Sequence, residues 1–205
     1  MKSHWNERFS QEAYLYGKAP NQFIREINQK INLKGDILAI AEGEGRNALY
    51  IAKEAVAAEE PIKIEVWDYS DVALEKINQR KEDLPIETRE VDLTEVIWPE
   101  NRYDAAICVY GHFAKEMQEK VFQGLRQSVK SGGWIVGEVY SEEQIPYQSG
   151  GPRNQDYLYS PSLFTKLFAE DFIRHLYVGE VMREEGALHR GICHVIQFAI
   201  QLRKA

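Results

Sequence analysis

Apolar positions along the chain follow two rhythms that alternate. Ile37-Leu38-Ala39-Ile40-Ala41 is apolar on successive residues, which predicts a short strand buried on both faces. Further strands are predicted at Ile62–Trp67, Ile86–Val91, Tyr103–Val109 and Trp134–Val139, the second ending at Asp68 and the third at Asp92. Between them the period changes. Ala48, Leu49, Ile51, Ala52 and Ala55 recur at helical spacing from Arg46 onward, Ser70 caps a helix running to about Lys81, and Met117, Val121 and Leu125 mark another. Ser131-Gly132-Gly133 reads as the turn before the fifth strand. Pro161 to Ala169 is a last helix. Phe172–Met182 and Ile192–Leu202 then read as two long strands joined by a turn containing Gly186, an antiparallel hairpin. The alternation predicts an α/β fold: a mostly parallel sheet with helices on both faces and right-handed crossovers.

About 35 residues precede the first strand. They carry Trp5, Phe9, Tyr14, Tyr16 and Phe23, and Pro20-Asn21 signals a helix over Gln22–Ile31. Trp5, Tyr14 and Tyr16 suit either a lid over a ligand or the packing of an N-terminal helix.

Length and composition narrow the picture. With 205 residues, 44% hydrophobic and 28% charged, the chain suits one compact domain spanning residues 1–205, and it has no low-complexity linker. Neither a signal peptide nor a run of roughly 20 apolar residues is visible, so a cytoplasmic protein without a membrane partner is expected. The net charge of −7, with its basic residues scattered, argues against a nucleic-acid partner and leaves a small molecule as the expected one. Cys108 and Cys193 lie in apolar runs and read as reduced core residues, and no metal site is indicated.

In open parallel sheets ligands lie across the carboxyl ends of the strands. That directs attention to Glu42-Gly43-Glu44-Gly45-Arg46-Asn47, Asp68-Tyr69-Ser70, Asp92-Leu93 and Val109-Tyr110 with His112. Gly43 and Gly45 permit a tight turn that a ligand can approach, and the helix that follows offers unpaired N–H groups. Asp68 can accept both hydroxyls of a ribose lying over that turn, Asp92 stands where an adenine would lie, and Arg46 and Asn47 can bond a polar tail. Gly43-x-Gly45-x-x-Ala48 also satisfies a dinucleotide fingerprint, so an NAD(P)-dependent oxidoreductase is a rival. Against it stand Glu42 and Glu44, which would repel a pyrophosphate, and the short chain beyond the fifth strand, which leaves no room for a substrate domain.

The stretch Glu42-Gly43-Glu44-Gly45-Arg46-Asn47-Ala48-Leu49-Tyr50, with Val66-Trp67-Asp68, Val91-Asp92-Leu93 and Lys130-Ser131-Gly132-Gly133, resembles the class I S-adenosylmethionine-dependent methyltransferases. Within them it is similar to the small bacterial tellurite-resistance and thiopurine methyltransferase-like group, as are His189-Arg190 and the Ser149-Gly150-Gly151-Pro152 loop. The resemblance implies a Rossmann-like seven-stranded sheet of order 3-2-1-4-5-7-6 and S-adenosylmethionine as cofactor. It also implies roles: Gly43, Gly45 and Arg46 around the methionine part, Asp68 on the ribose, Asp92-Leu93 at the adenine and Val109-Tyr110 near the sulfonium. The acceptor it implies is an oxyanion or a thiol or thiopurine-like small molecule. Two positions depart from the family: Ala39 and Ala41 stand where an acidic residue and a glycine are usual.

Methyl transfer is an in-line displacement that depends on positioning, and a protic acceptor needs a base. His112 and His189 are the candidate bases, and Arg190 and Arg153 the candidate anchors for an anionic acceptor. His194 reads as a core residue, and His4 and His175 as surface ones. A binding module without turnover is the third reading.

Overall fold

The computed structural model describes residues 2–11, 13–186 and 189–204. Strands β1 (Gly35–Ile40), β2 (Ile62–Asp68), β3 (Ile86–Glu90), β4 (Tyr103–Val109), β5 (Val129–Tyr140), β6 (Phe172–Glu185) and β7 (His189–Gln201) form one sheet of order β3-β2-β1-β4-β5-β7-β6. β1 pairs in parallel with β2 and β4, β2 with β3, and β4 with β5, while β7 runs antiparallel to β5 and β6. The helices are α1 (Lys2–Phe9), α2 (Gln22–Ile31), α3 (Arg46–Ala57), α4 (Asp71–Arg80), α5 (Lys115–Ser128) and α6 (Pro161–Leu167).

Successive side chains of a strand point to opposite faces, and β1 uses both. Ile37 and Ala39 pack on one side with Ile24 and Ile27 of α2, Leu49 and Ala52 of α3 and Ile77 of α4. Leu38 and Ile40 pack on the other with Val121, Phe122 and Leu125 of α5 and Phe164 of α6. Both cysteines are buried and free.

Several elements differ from expectation for identifiable reasons. The Ser131-Gly132-Gly133 segment does not break the chain: β5 begins at Val129, and the pairing with β4 shifts register between Tyr103 and Ala105 to take up the positive φ of 80° at Gly132. The hairpin is longer than its apolar content suggests, with Glu185 paired to His189 and polar Arg183 and Glu184 inside the ladder. Two 3-10 turns, Glu142–Tyr147 and Gln155–Tyr157, follow β5. His194 is half-buried rather than core, its Nδ1 2.6 Å from Ser141 Oγ, because β7 passes there beneath the first of these turns. His175 is half-buried too, stacked on Phe23 at 5.0 Å.

β1 ends one residue before the run predicted for it. Ala41 adopts φ 49°, the left-handed region, while its N–H still reaches Trp67 O at 2.8 Å. A Cβ there costs about 1 kcal/mol relative to glycine. Ala41→Gly is therefore expected to raise the unfolding free energy by about that amount, read as a higher denaturant midpoint at unchanged slope.

Candidate functional site

The loops after β1, β4 and β5 meet at the carboxyl ends of the strands and are roofed by the N-terminal segment. Gly43 and Gly45 both have positive φ, 57° and 79°. They serve different ends. A Cβ on Gly45 would stand 2.6 Å from Ile77 of α4, so this glycine lets the turn pack on the core, whereas a Cβ on Gly43 would face Phe9 Cζ of α1 at 3.2 Å. The open side of the turn is thus covered by a ring.

Two of the N–H groups that open α3 are not free. Glu42 Oε1 accepts from Asn47 N and Ala48 N, each at 2.8 Å, so the chain's own carboxylate occupies the helix terminus. A pyrophosphate would find those donors taken and a carboxylate in its place. Burial raises the Glu42 carboxyl from its ordinary 4.5 to about 7, against the pull of these hydrogen bonds. An acid bound more tightly by its proton in the fold than out of it stabilises the fold at low pH. That contribution is present below about pH 4.5 and is lost as the pH rises toward 7. Glu42→Gln is expected to flatten the fall in unfolding free energy between pH 5 and pH 8 by about 2–3 kcal/mol, measured by denaturant unfolding at both values.

Arg46 and Asn47 are committed to protein partners rather than projecting freely. Arg46 donates to Glu185 Oε2 at 2.6 Å and approaches Ala19 O at 3.4 Å, and Asn47 Oδ1 accepts from Asn21 N at 2.8 Å. Glu44 is half satisfied: Lys76 meets one oxygen at 2.6 Å, while the other is buried without a partner. Asp68 ends β2 as expected, and its two oxygens accept from Gly43 N at 2.8 Å and Ser70 N at 2.9 Å. Ser70 caps α4, and its hydroxyl meets Asn6 of α1 at 2.7 Å. Asp92 closes a turn on Thr94 at 2.9 Å, and Leu93 is buried in the core with Trp67 and Trp98.

Two adjoining cavities result. The smaller, about 60 Å³, lies over the Gly-rich turn and is lined by Ala41 to Glu44, Arg46, Asn47, Val109, Tyr110, His112 and His189, with Trp5, Phe9, Tyr16 and Gly17 above. The larger, about 720 Å³, opens outward between α1 and the loop at residues 144–157 and shares Trp5, Tyr16, His112 and His189 with the first. Asp68, Tyr69, Ser70, Asp92 and Leu93 line neither. α1 lies over that end of the sheet, tied by Asn6 to Asp71 at 2.7 Å and by Lys2 to Glu90.

His189 stands at the junction of the cavities, 3% exposed, with ring centroids 4.7 Å from Tyr16, 4.8 Å from Tyr110 and 5.5 Å from Tyr140. Its Nδ1 is buried without a hydrogen-bond partner, 3.8 Å from Glu185 Oε2. Burial lowers its pKa, outweighing the upward pull of Glu185. His112 stacks on Trp5 at 5.9 Å and is pushed down to about 3 by burial, His189 and Arg8. Both imidazoles are therefore neutral at pH 7. Arg190 does not join them. Adjacent strand residues face opposite ways, and Arg190 is exposed, its Nε donating to Gly186 O at 2.7 Å. Arg153, from the loop after β5, does line the larger cavity.

Sequence reasoning missed the polar network beneath this junction. Glu138 of β5, fully buried, accepts from Asn21 at 3.0 Å, Gln197 at 2.7 Å, Tyr110 OH and both Arg183 Nε and Nη2. Asn21 also reaches Glu185 at 3.0 Å, joining Arg46 to the same web. Against its burial, the neighbouring His189 and the Arg46 guanidinium hold the Glu185 carboxyl down at about 2. A lone acid inside the apolar run Trp134–Val139, and the i, i+2 pair Arg183 and Glu185, were the available signals.

Residues 37–133 match the model of a methyltransferase domain. No curated protein matches the chain. Among solved structures, one described as converting a disulfide bond into a thioacetal group in echinomycin biosynthesis superposes with a TM-score of 0.77 at 15% identity, covering 99% of this chain and 92% of that one. TehB from Haemophilus influenzae gives 0.69 at 13% identity over 98% and 67%. A SAM-dependent methyltransferase from Aquifex aeolicus gives 0.60 at 16% over 97% and 98%. At such identities the likeness is one of fold. The seven-stranded sheet is that of the class I methyltransferases, residues 37–133 match a methyltransferase domain, and S-adenosylmethionine is the cofactor that this match and these neighbours imply.

Proposed function

We propose that the chain transfers the methyl group of S-adenosylmethionine to a small-molecule acceptor, with the cofactor over the Gly-rich turn and the acceptor in the larger cavity. The observation that carries this is the meeting of the two cavities at His189. One cavity borders the turn that the resemblance assigns to the methionine part, the other is roomy enough for a separate ligand, and a neutral imidazole that lines both stands between them, its buried Nδ1 turned toward Glu185.

The residues fit that cofactor. Glu42 is a buried acid facing the smaller cavity; with its carboxyl raised to about 7, a cationic amine or sulfonium bound beside it would favour its charged form and take the place of the acidic residue missing at Ala39. The rings of Tyr16 and Tyr110 are apolar, electron-rich neighbours for a cation. Asp68 retains the strand-end position proposed for the ribose. A cavity of about 60 Å³ holds no nucleoside, so α1 and Phe9 must move outward to admit one. The polar ties of α1 to α4 are few enough to allow that.

When bound, S-adenosylmethionine supplies an electrophilic methyl group. The chain's own residues orient the acceptor, exclude water beneath Trp5 and Tyr16, and provide at His189 a site for the proton that a hydroxyl, amine or thiol acceptor gives up. The size of the larger cavity favours a ring-sized, thiopurine-like acceptor over a bare oxyanion. A screen with methyl-labelled S-adenosylmethionine over tellurite, selenite, thiols, thiopurines and small acids tests the reading. Label is expected in an organic acceptor. Absence of product from every class, with S-adenosylhomocysteine still bound, would make the chain a binding module instead.

A further inference from the structure

The walls of the larger cavity are chemically one-sided. Although the chain carries a net charge of −7, no aspartate or glutamate among the described residues lines this space, and two guanidiniums, Arg8 and Arg153, do. Neither pairs with a carboxylate among the described residues. The two histidines shared with the smaller cavity are neutral at pH 7, so the positive charge at this site comes from the arginines.

The remaining wall is aromatic. Trp5 and Tyr16 form one side, with Arg8 lying 5.5 Å and 6.0 Å from their ring centroids, and Tyr157 comes from the facing loop. That loop is held in place. Gln144 donates to Ser149 Oγ and Gly150 O, both at 3.1 Å, and Gly151 packs so closely on Tyr140 that a Cβ would lie 2.7 Å from the ring. The backbone carrying Arg153 is therefore fixed against the sheet. The volume, about 720 Å³, belongs to the range of roughly 300–1,000 Å³ typical of organic ligands, and an inorganic oxyanion would leave most of it to water.

We infer that this cavity binds a flat aromatic small molecule bearing one anionic group, the ring against Trp5, Tyr16 and Tyr157 and the anion at Arg8 and Arg153. Guanidiniums recognise a planar carboxylate or a sulfonate through paired N–H donors and lie flat on aromatic faces. The assignment of this ligand as methyl acceptor rests on the function proposed above; the recognition of an anionic ring does not.

Calorimetry on the full chain, with and without saturating S-adenosylhomocysteine, tests the inference with 2-naphthoate and its neutral counterpart 2-naphthamide. One site per chain is expected, with naphthoate binding about tenfold or more tighter than the amide and still binding when S-adenosylhomocysteine is present. Arg153→Gln and Arg8→Gln should each weaken naphthoate by about tenfold and leave the amide within about twofold. Arg153 is exposed, so its variant is expected to keep the wild-type melting temperature. Equal affinities for acid and amide, indifference to both arginine variants, or competition between naphthoate and S-adenosylhomocysteine would overturn the inference. Arginine-dependent naphthoate binding by a chain that fails to bind S-adenosylhomocysteine would uphold this cavity and sink the methyl-transfer reading. Binding of S-adenosylhomocysteine without naphthoate would do the reverse.

Discussion

Arg183→Met is expected to lower the unfolding free energy by about 3–5 kcal/mol, because it strands Glu138 as an uncompensated carboxylate in the interior. Arg183 is 4% exposed and Glu138 fully buried, and the guanidinium holds both carboxylate oxygens. Asn21, Gln197 and Tyr110 would remain as donors, yet none carries charge. The double variant Arg183→Met, Glu138→Gln should recover most of the loss, since a buried pair replaced as a unit costs little. Denaturant unfolding of the two single variants and the double one checks this. A single-variant loss below about 1 kcal/mol would show that the ion pair does not hold β5 to the terminal hairpin. The network matters for function because Glu138, Asn21, Arg46 and Glu185 join the hairpin, α3 and the N-terminal segment directly beneath His189.

His189→Ala is expected to lower kcat/KM for a protic acceptor by about 10²–10⁴, the usual contribution of a placed general base. The affinity for S-adenosylhomocysteine should stay within about threefold, because the ring stands at the junction of the cavities and not on the Gly-rich turn. The wild-type rate should hold steady from pH 8 down to about 6.5, the ordinary histidine value, and fall only at lower pH, since burial depresses the pKa of this imidazole. Steady-state kinetics with an acceptor found by the methyl-transfer screen, alongside calorimetry, separates the two effects. Equal loss of turnover and cofactor affinity would mean that the ring only supports the tyrosines around it.

Much of this architecture could be read from the residues. The alternation of strand and helix periods placed the first four parallel strands to within two residues and the fifth to within five at its start, and the terminal hairpin followed from two long apolar runs around Gly186. Local chemistry also pointed to the turn at Glu42–Asn47. What escaped was set by contacts between distant residues. Nothing local says that Glu42 turns back onto α3, that Arg46 meets Glu185 across 139 positions, or that Phe9 comes to rest against Gly43. The His189-Arg190 pair shows the limit clearly. His189 suits a base and Arg190 an anchor for an anionic acceptor, but only the register of β7 against β6 decides which faces the cavity, and it selects His189.

The central claim is that the Gly-rich turn at Glu42–Asn47, with Asp68 at the neighbouring strand end, serves S-adenosylmethionine rather than a dinucleotide. Calorimetry with S-adenosylhomocysteine and NADH on the wild type, Asp68→Ala and the milder Asp68→Asn tests it directly. The account predicts one S-adenosylhomocysteine per chain, weaker or absent NADH binding, and a loss of about tenfold or more in Asp68→Ala as the hydrogen bonds of a charged acceptor disappear. Tighter binding of NADH, or an Asp68→Ala affinity for S-adenosylhomocysteine within about twofold of wild type, would contradict it.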